Sequence, residues 1–110
     1  MEWFEHLDGN VIVSDRNNIV IYMNKKALAS YEHEGGADLI GKNLMECHNP
    51  RSQEIIRHIL DTGENNVYTI EKKGKKKIIY QTPWKVDGII QGIVELSLEI
   101  PFDMPHYIRG

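Results

Sequence analysis

The side chains best suited to chemistry stand together at Cys47-His48-Asn49-Pro50. A thiol beside an imidazole, just ahead of a helix start, joins a soft nucleophile to a group that exchanges protons near neutral pH. A neutral His48 could ligate haem iron or bond a ligand carboxylate; equally, it could brace the helix start by bonding a backbone carbonyl. Cys47 reads either as a thiol sharpened by the helix N-terminus or as a small buried hydrophobe. Adjacent residues rarely reach nucleophile–base geometry, and no orienting or oxyanion partner accompanies them, so no enzyme is expected. Zinc or iron would need three or four ligands, and no spacing brings His106 to Cys47 and His48, so no metal site is expected.

Other candidates depend on the elements that carry them. Asn49 is a good N-cap, and Pro50 suits the first helical position because its missing N–H costs nothing there. The helix it opens should run to about Asp61 and stop at Thr62-Gly63. Its buried stripe, Ile55, Ile56, Ile59 and Leu60, takes in Ser52 and leaves Arg57 and His58 outside. The Ser52 hydroxyl therefore meets a ligand or bonds back to its own helix. Asn43, a second capping residue, belongs near the same space. On the strand Lys77–Val86, Tyr80, Thr82 and Trp84 share a face with Ile78 and Val86, and that face is expected to be the core side. They line a cavity there or fill it.

The remaining elements follow from period and punctuation. Trp3, Phe4 and Leu7 make one stripe on a short helix, Glu2–Leu7, ended by Asp8-Gly9. Val11–Val13 and Ile19–Met23 are two β-branched runs joined by the turn Asp15-Arg16-Asn17-Asn18. Asn24 caps a helix over Lys25–Tyr31, and Ala37–Ile40 adds a helical turn. Asn66–Lys72, Lys77–Val86 and Ile89–Glu99 are three strands, the last two joined by Asp87-Gly88. In the third, Ile90, Gly92, Val94, Leu96 and Leu98 are expected to face the core, and the half-polar set with Glu95, Ser97 and Glu99 to face away. Pro83 marks a bulge, or a point where the neighbouring strand has ended. The lysines around Gly74 read as a solvated hairpin tip.

The order β-β-α-α-α-β-β-β is an α+β pattern. A chain of 110 residues fits one domain. A net charge of −3 gives no reason to expect nucleic acid. A single Cys allows no internal disulfide, and no apolar run approaches a membrane span, so a cytoplasmic protein is expected. The tail from Ile100 cannot continue a sheet past Pro101, yet is apolar enough to dock on something.

Three segments, in order, resemble the PAS family of sensory domains: GNVIVSDRNNIVIYMNKKA from Gly9, LIGKNL from Leu39, and TPWKVDGIIQGIVELS from Thr82. Cys47-His48-Asn49-Pro50 is similar to a bacterial subgroup with Cys-His-x-Pro before the long helix. The resemblance implies an α+β fold of five antiparallel strands with helices packed on one face, and a cavity between that face and the long helix. It implies an N-terminal helical cap (1–9), a PAS body (10–99) and a docking tail (100–110). Relatives hold haem, flavin or metabolites there. The flavin-adduct motif is absent, and the long helix offers only the outward His58 for haem. By resemblance, His48, Cys47, Ser52, Asn43, Tyr80, Thr82 and Trp84 are the candidate ligand contacts. A bacterial homodimer is expected, signalling to a protein partner, with the apolar termini covering the open sheet face. The alternative is a ligand-free interaction module.

Overall fold

Three asparagine caps and three tight turns frame the computed structural model, which describes residues 1–110 apart from the Cys47 side chain. The elements are β1 (Asn10–Asp15), β2 (Val20–Met23), α1 (Lys25–Ser30), α2 (Pro50–Thr62), β3 (Asn66–Lys72), β4 (Lys75–Val86) and β5 (Ile89–Ile100). Short 3-10 turns occupy Trp3–His6, Glu32–Glu34, Gly36–Leu39 and Leu44–Cys47. The expected helix over Glu2–Leu7 is thus a single 3-10 turn with no buried residue, too short to nucleate an α-helix. Among the described residues no helix is long and apolar enough to cross a membrane.

The sheet is antiparallel with strand order β2-β1-β5-β4-β3, so the last strand lies at its centre. In the first hairpin, Asp15 Oδ1 accepts from the N–H groups of Asn17 and Ile19, and Asn18 takes positive φ. Lys73-Gly74 and Asp87-Gly88 both have positive φ at each residue, the type I′ geometry that matches strand twist. α2 opens with Pro50 behind the Asn49 cap, whose side chain accepts from Ser52 N at 2.9 Å, and closes on left-handed Gly63. Pro83 lies beyond the last β3–β4 pair, Asn66 with Gln81, where no third strand asks for its N–H.

Asn24 ties the chain's start to this frame. It is completely buried; Oδ1 accepts from Ala27 N and Val11 N, each at 3.0 Å. Its Nδ2 donates to the carbonyls of Phe4 and Gly9, each at 2.9 Å. Phe4 then meets the Tyr22 ring edge-on at 5.4 Å, and Tyr22 donates to Glu5 at 2.5 Å.

Apolar packing on the helix side falls into two separate clusters. One is Ile56, Ile59 and Leu60 of α2 against Ile93 of β5, with Met45, Ile55 and Ile90. The other is Val20, Met23 and Ala27, with Ile12, Leu28, Tyr31, Leu39 and Leu44. The strand pairings Ile12–Glu95–Gln81 and Ser14–Ile93–Pro83 assign those residues to the helix side. By alternation Val94, Leu96 and Leu98, with Ile78, Tyr80, Thr82 and Trp84, belong to the opposite, outer face. This reverses the face assignment expected for β4 and β5. The outer face is the more apolar of the two, and the half-polar face is the one the helices cover. A bulge contributes: Trp84 pairs with Gly92 but Lys85 with Ile90, so Gln91 is extra and both Ile90 and Ile93 turn inward.

Candidate functional site

Between the two apolar clusters lies a cavity of about 450 Å³. Ile12, Met23 and Leu44 wall it from one cluster, Ile56 and Ile93 from the other. Its sheet side is polar. Glu95 and Gln81 sit side by side on β5 and β4, and Gln81 Nε2 donates to Glu95 Oε1 at 2.8 Å. Asn66 Nδ2 donates in turn to Gln81 Oε1 at 2.8 Å, which commits the Gln81 amide to presenting its NH2 to the carboxylate. Ser14, 2% exposed, completes the floor, its hydroxyl only 3.5 Å from the Ile93 carbonyl oxygen. Tyr31, at the end of α1, and Tyr68 of β3 line the cavity as well. Burial first, and then the charge of Glu95, push both phenols above their ordinary range, so each stays neutral and protonated. The cavity walls also include the exposed Glu34 and Lys42.

His48 and Asn43 line the cavity. His48 Nδ1 lies 2.6 Å from the Leu44 carbonyl oxygen. A carbonyl only accepts, so Nδ1 carries the proton and a neutral ring keeps Nε2 as an acceptor. Gln53 Nε2 holds the same segment from α2 by donating to the carbonyls of Met45 and His48. Asn43 caps the turn Leu44–Cys47 by accepting from Met45 N at 2.8 Å. The brace to Leu44 uses one ring nitrogen of His48 and leaves the other out of it.

The other sequence candidates lie elsewhere. Tyr80, Thr82 and Trp84 are corrected to the outer sheet face, where Asn65 bonds both Tyr80 and Thr82 and Trp84 Nε1 donates to Ser14 O at 3.0 Å. Ser52 is in the first turn of α2 and does not line the cavity. The Cys47 side chain lies outside the described residues. Sequence reasoning missed Glu95, Gln81, Ser14, Tyr31 and Tyr68. The signal available was the polar set on the central strand, which was given to the wrong face.

A haem would find no inward histidine on α2, and His48, the one imidazole lining the cavity among the described residues, stands on the turn before that helix. His58 is the one histidine of α2, and its ring is largely exposed and pairs with Glu64 at 3.2 Å. The Glu95 carboxylate on the floor would disfavour an apolar macrocycle, and the exposed Lys42 is the one ammonium in the lining for two propionates.

No curated protein matches the sequence. Among solved structures, a C-terminal domain from Streptococcus mutans superposes with a TM-score of 0.73 at 16% identity, over 87% of this chain and 78% of that one. The Aer2 receptor of Vibrio cholerae, a dual PAS-haem oxygen sensor, gives 0.66 at 19% identity, over 84% and 95%. VqmA of Vibrio cholerae, in complex with ligand and DNA, gives 0.67 at 25% identity; 90% of this chain spans 49% of VqmA. A family model described as the PAS fold matches residues 4–101. With five antiparallel strands, helices on one face and a cavity beneath them, the chain belongs to the PAS fold family.

Proposed function

We propose that this chain is a sensory domain of a bacterial, cytoplasmic protein that binds a small molecule between α2 and the sheet. The observation that carries this reading is the split core: about 450 Å³ stands between two apolar clusters, within the range of small-molecule sites, above a floor of oriented polar groups. VqmA, similar in fold, has been solved bound to DPO. Occupancy is passed on through contacts outside the cavity, by homodimer or signalling partner, because a ligand that prefers one packing of α2 shifts the population toward it. The outer sheet face supplies such a surface, with Val94, Leu96, Leu98 and the half-exposed Tyr80 and Val67. The segments 1–9 and 100–110 are attachments to a sensory body at 10–99, and Phe102, Met104, Tyr107 and Ile108 are exposed in the single chain.

A second reading, a ligand-free interaction module, is favoured by that same exposed apolar surface. Native mass spectrometry with an absorption spectrum on freshly purified protein separates the two. The expected result is a dimer carrying a small added mass and no Soret band. An apo protein that no metabolite mixture loads would sink the ligand reading and leave the interaction module.

A further inference from the structure

We infer that the cavity takes a small organic cation bearing N–H donors, with Glu95 as its counter-ion and His48 Nε2 as a second acceptor. This rests on the ligand-binding reading above and adds the ligand's charge and hydrogen-bonding sense to it. Glu95 stands on the central strand, half-buried, with one carboxylate oxygen held by Gln81. Among the described residues its other oxygen has no donor, and the ion pairs are Lys26–Asp8, His58–Glu64 and Lys75–Glu99, none of which includes it. A carboxylate taken partly out of water is stabilised when a cation reaches it. The protein has fixed this one in place through the Asn66–Gln81 relay without supplying that cation.

The rest of the lining has the same polarity. In the neutral tautomer that donates to the Leu44 carbonyl, His48 offers a lone pair on its other ring nitrogen. Glu34 adds a second carboxylate, against the single ammonium of Lys42. Tyr31 and Tyr68 bring aromatic surface close enough to Glu95 to feel its charge, and a cation beside a carboxylate gains further from aromatic neighbours. An anionic ligand would meet two carboxylates and one ammonium. A neutral one would leave the second Glu95 oxygen without a charged partner.

The test is an amide-resolved NMR titration of the full chain with three probes of one skeleton: benzylamine, benzyl alcohol and benzoate. Benzylamine should shift the amides of Ser14, His48 and Glu95 saturably, with an affinity at least about tenfold above the other two, the difference between a charge-assisted and a neutral hydrogen bond. In Glu95→Gln, which keeps an acceptor for Gln81, the preference for the amine should vanish. Benzoate or benzyl alcohol binding the wild type as tightly as the amine overturns the cation assignment and leaves the cavity reading standing. An amine preference that survives in Glu95→Gln overturns the role of Glu95. If none of the three moves the cavity amides, the cavity reading falls with the inference. Should the variant not fold, the three-probe comparison on the wild type decides alone.

Discussion

Asn24 and Asn49 are both helix N-caps, yet the same substitution should have very different consequences at the two. Asn49 is exposed, and its side chain accepts one bond, from Ser52 N. Loss of such a cap costs about 1 kcal/mol, because water reaches the freed N–H. Asn24 is fully buried and makes four bonds. Asn24→Ala removes the cap to Ala27, strands the Val11 N–H and the Gly9 carbonyl, and leaves the Phe4 carbonyl only a long bond from Leu7 N at 3.5 Å. Each unpartnered buried group adds about 1 kcal/mol or more. The total is about 4 kcal/mol, a large part of the roughly 5–15 kcal/mol that holds a domain folded. At roughly 5 °C per kcal/mol, Asn49→Ala should lower Tm by about 5 °C and Asn24→Ala by about 20 °C. Asn24→Ser keeps a capping oxygen and loses the other partners, so it should fall between them. Differential scanning calorimetry, with urea unfolding to check that the m-value holds, measures all three. Losses at Asn24 and Asn49 within about 1 kcal/mol of each other would refute the assignment of Asn24 as the tie between the chain's start and α1.

Burial and the hydrogen bond to Glu5 push the Tyr22 phenol from 10.0 to about 12. The fold therefore disfavours phenolate, so the stability linked to this group is whole below pH 10 and drains away as pH rises through about 12. Alkaline unfolding curves should be flatter in Tyr22→Phe, and an unchanged slope would contradict the contact. At Gly92 a methyl group would overlap the backbone carbonyl of Ser14, whereas at Gly74 it meets open space and only the left-handed φ opposes it. Gly92→Ala should thus cost more than about 3 kcal/mol and Gly74→Ala about 1, read by urea midpoint. Leu96→Arg on the outer face should shift sedimentation toward monomer with little change in benzylamine binding; an unaltered dimer would remove that face from the interface. His58→Ala should change stability by less than about 0.5 kcal/mol, since its pair with Glu64 is exposed on both sides.

Much of the fold was legible because local chemistry and tertiary structure agree. Asn66–Lys72 is observed as expected, and the ends of α2 fall where Asn49-Pro50 and Gly63 place them. The I′ turn at Asp87-Gly88 needs nothing beyond two residues tolerant of positive φ. The site was legible only in part. Period-2 alternation sorts β5 correctly into Val94, Leu96, Leu98 and Ile93, Glu95, Ser97, but it does not say which set the helices cover. The rule that the apolar set faces the core chose wrongly here, because the covered face is spent on a polar floor and the outer face keeps the larger apolar share. The Gln91 bulge compounds this, since no turn residue announces that Ile90 and Ile93 share a side. His48 was found because an imidazole beside a helix start is conspicuous. Glu95 was missed because a lone carboxylate on a strand is ordinarily a solvated one.

The position of Glu95 also bears on how a sensor of this build would work. β5 is the central strand, and Glu95 lies between Val94 and Leu96, which project from its other side. Two residues from Glu95, Ile93 is the one buried β5 residue in the cluster that anchors α2. A ligand held by Glu95 and His48 thus bears at once on the helix packing inside and on the backbone that carries the outer apolar surface. No long relay is needed: cavity and outer face are opposite sides of the same three residues, on a strand paired along both flanks. A ligand seated only against Ile12 and Leu44, on the other cluster, would lack that leverage. Filling the cavity would then stabilise the domain without shifting its outer surface. Measuring Tm and dimer affinity together for cavity-bound probes separates the two cases: probes that engage Glu95 should move both, and probes that merely fill space should move Tm alone.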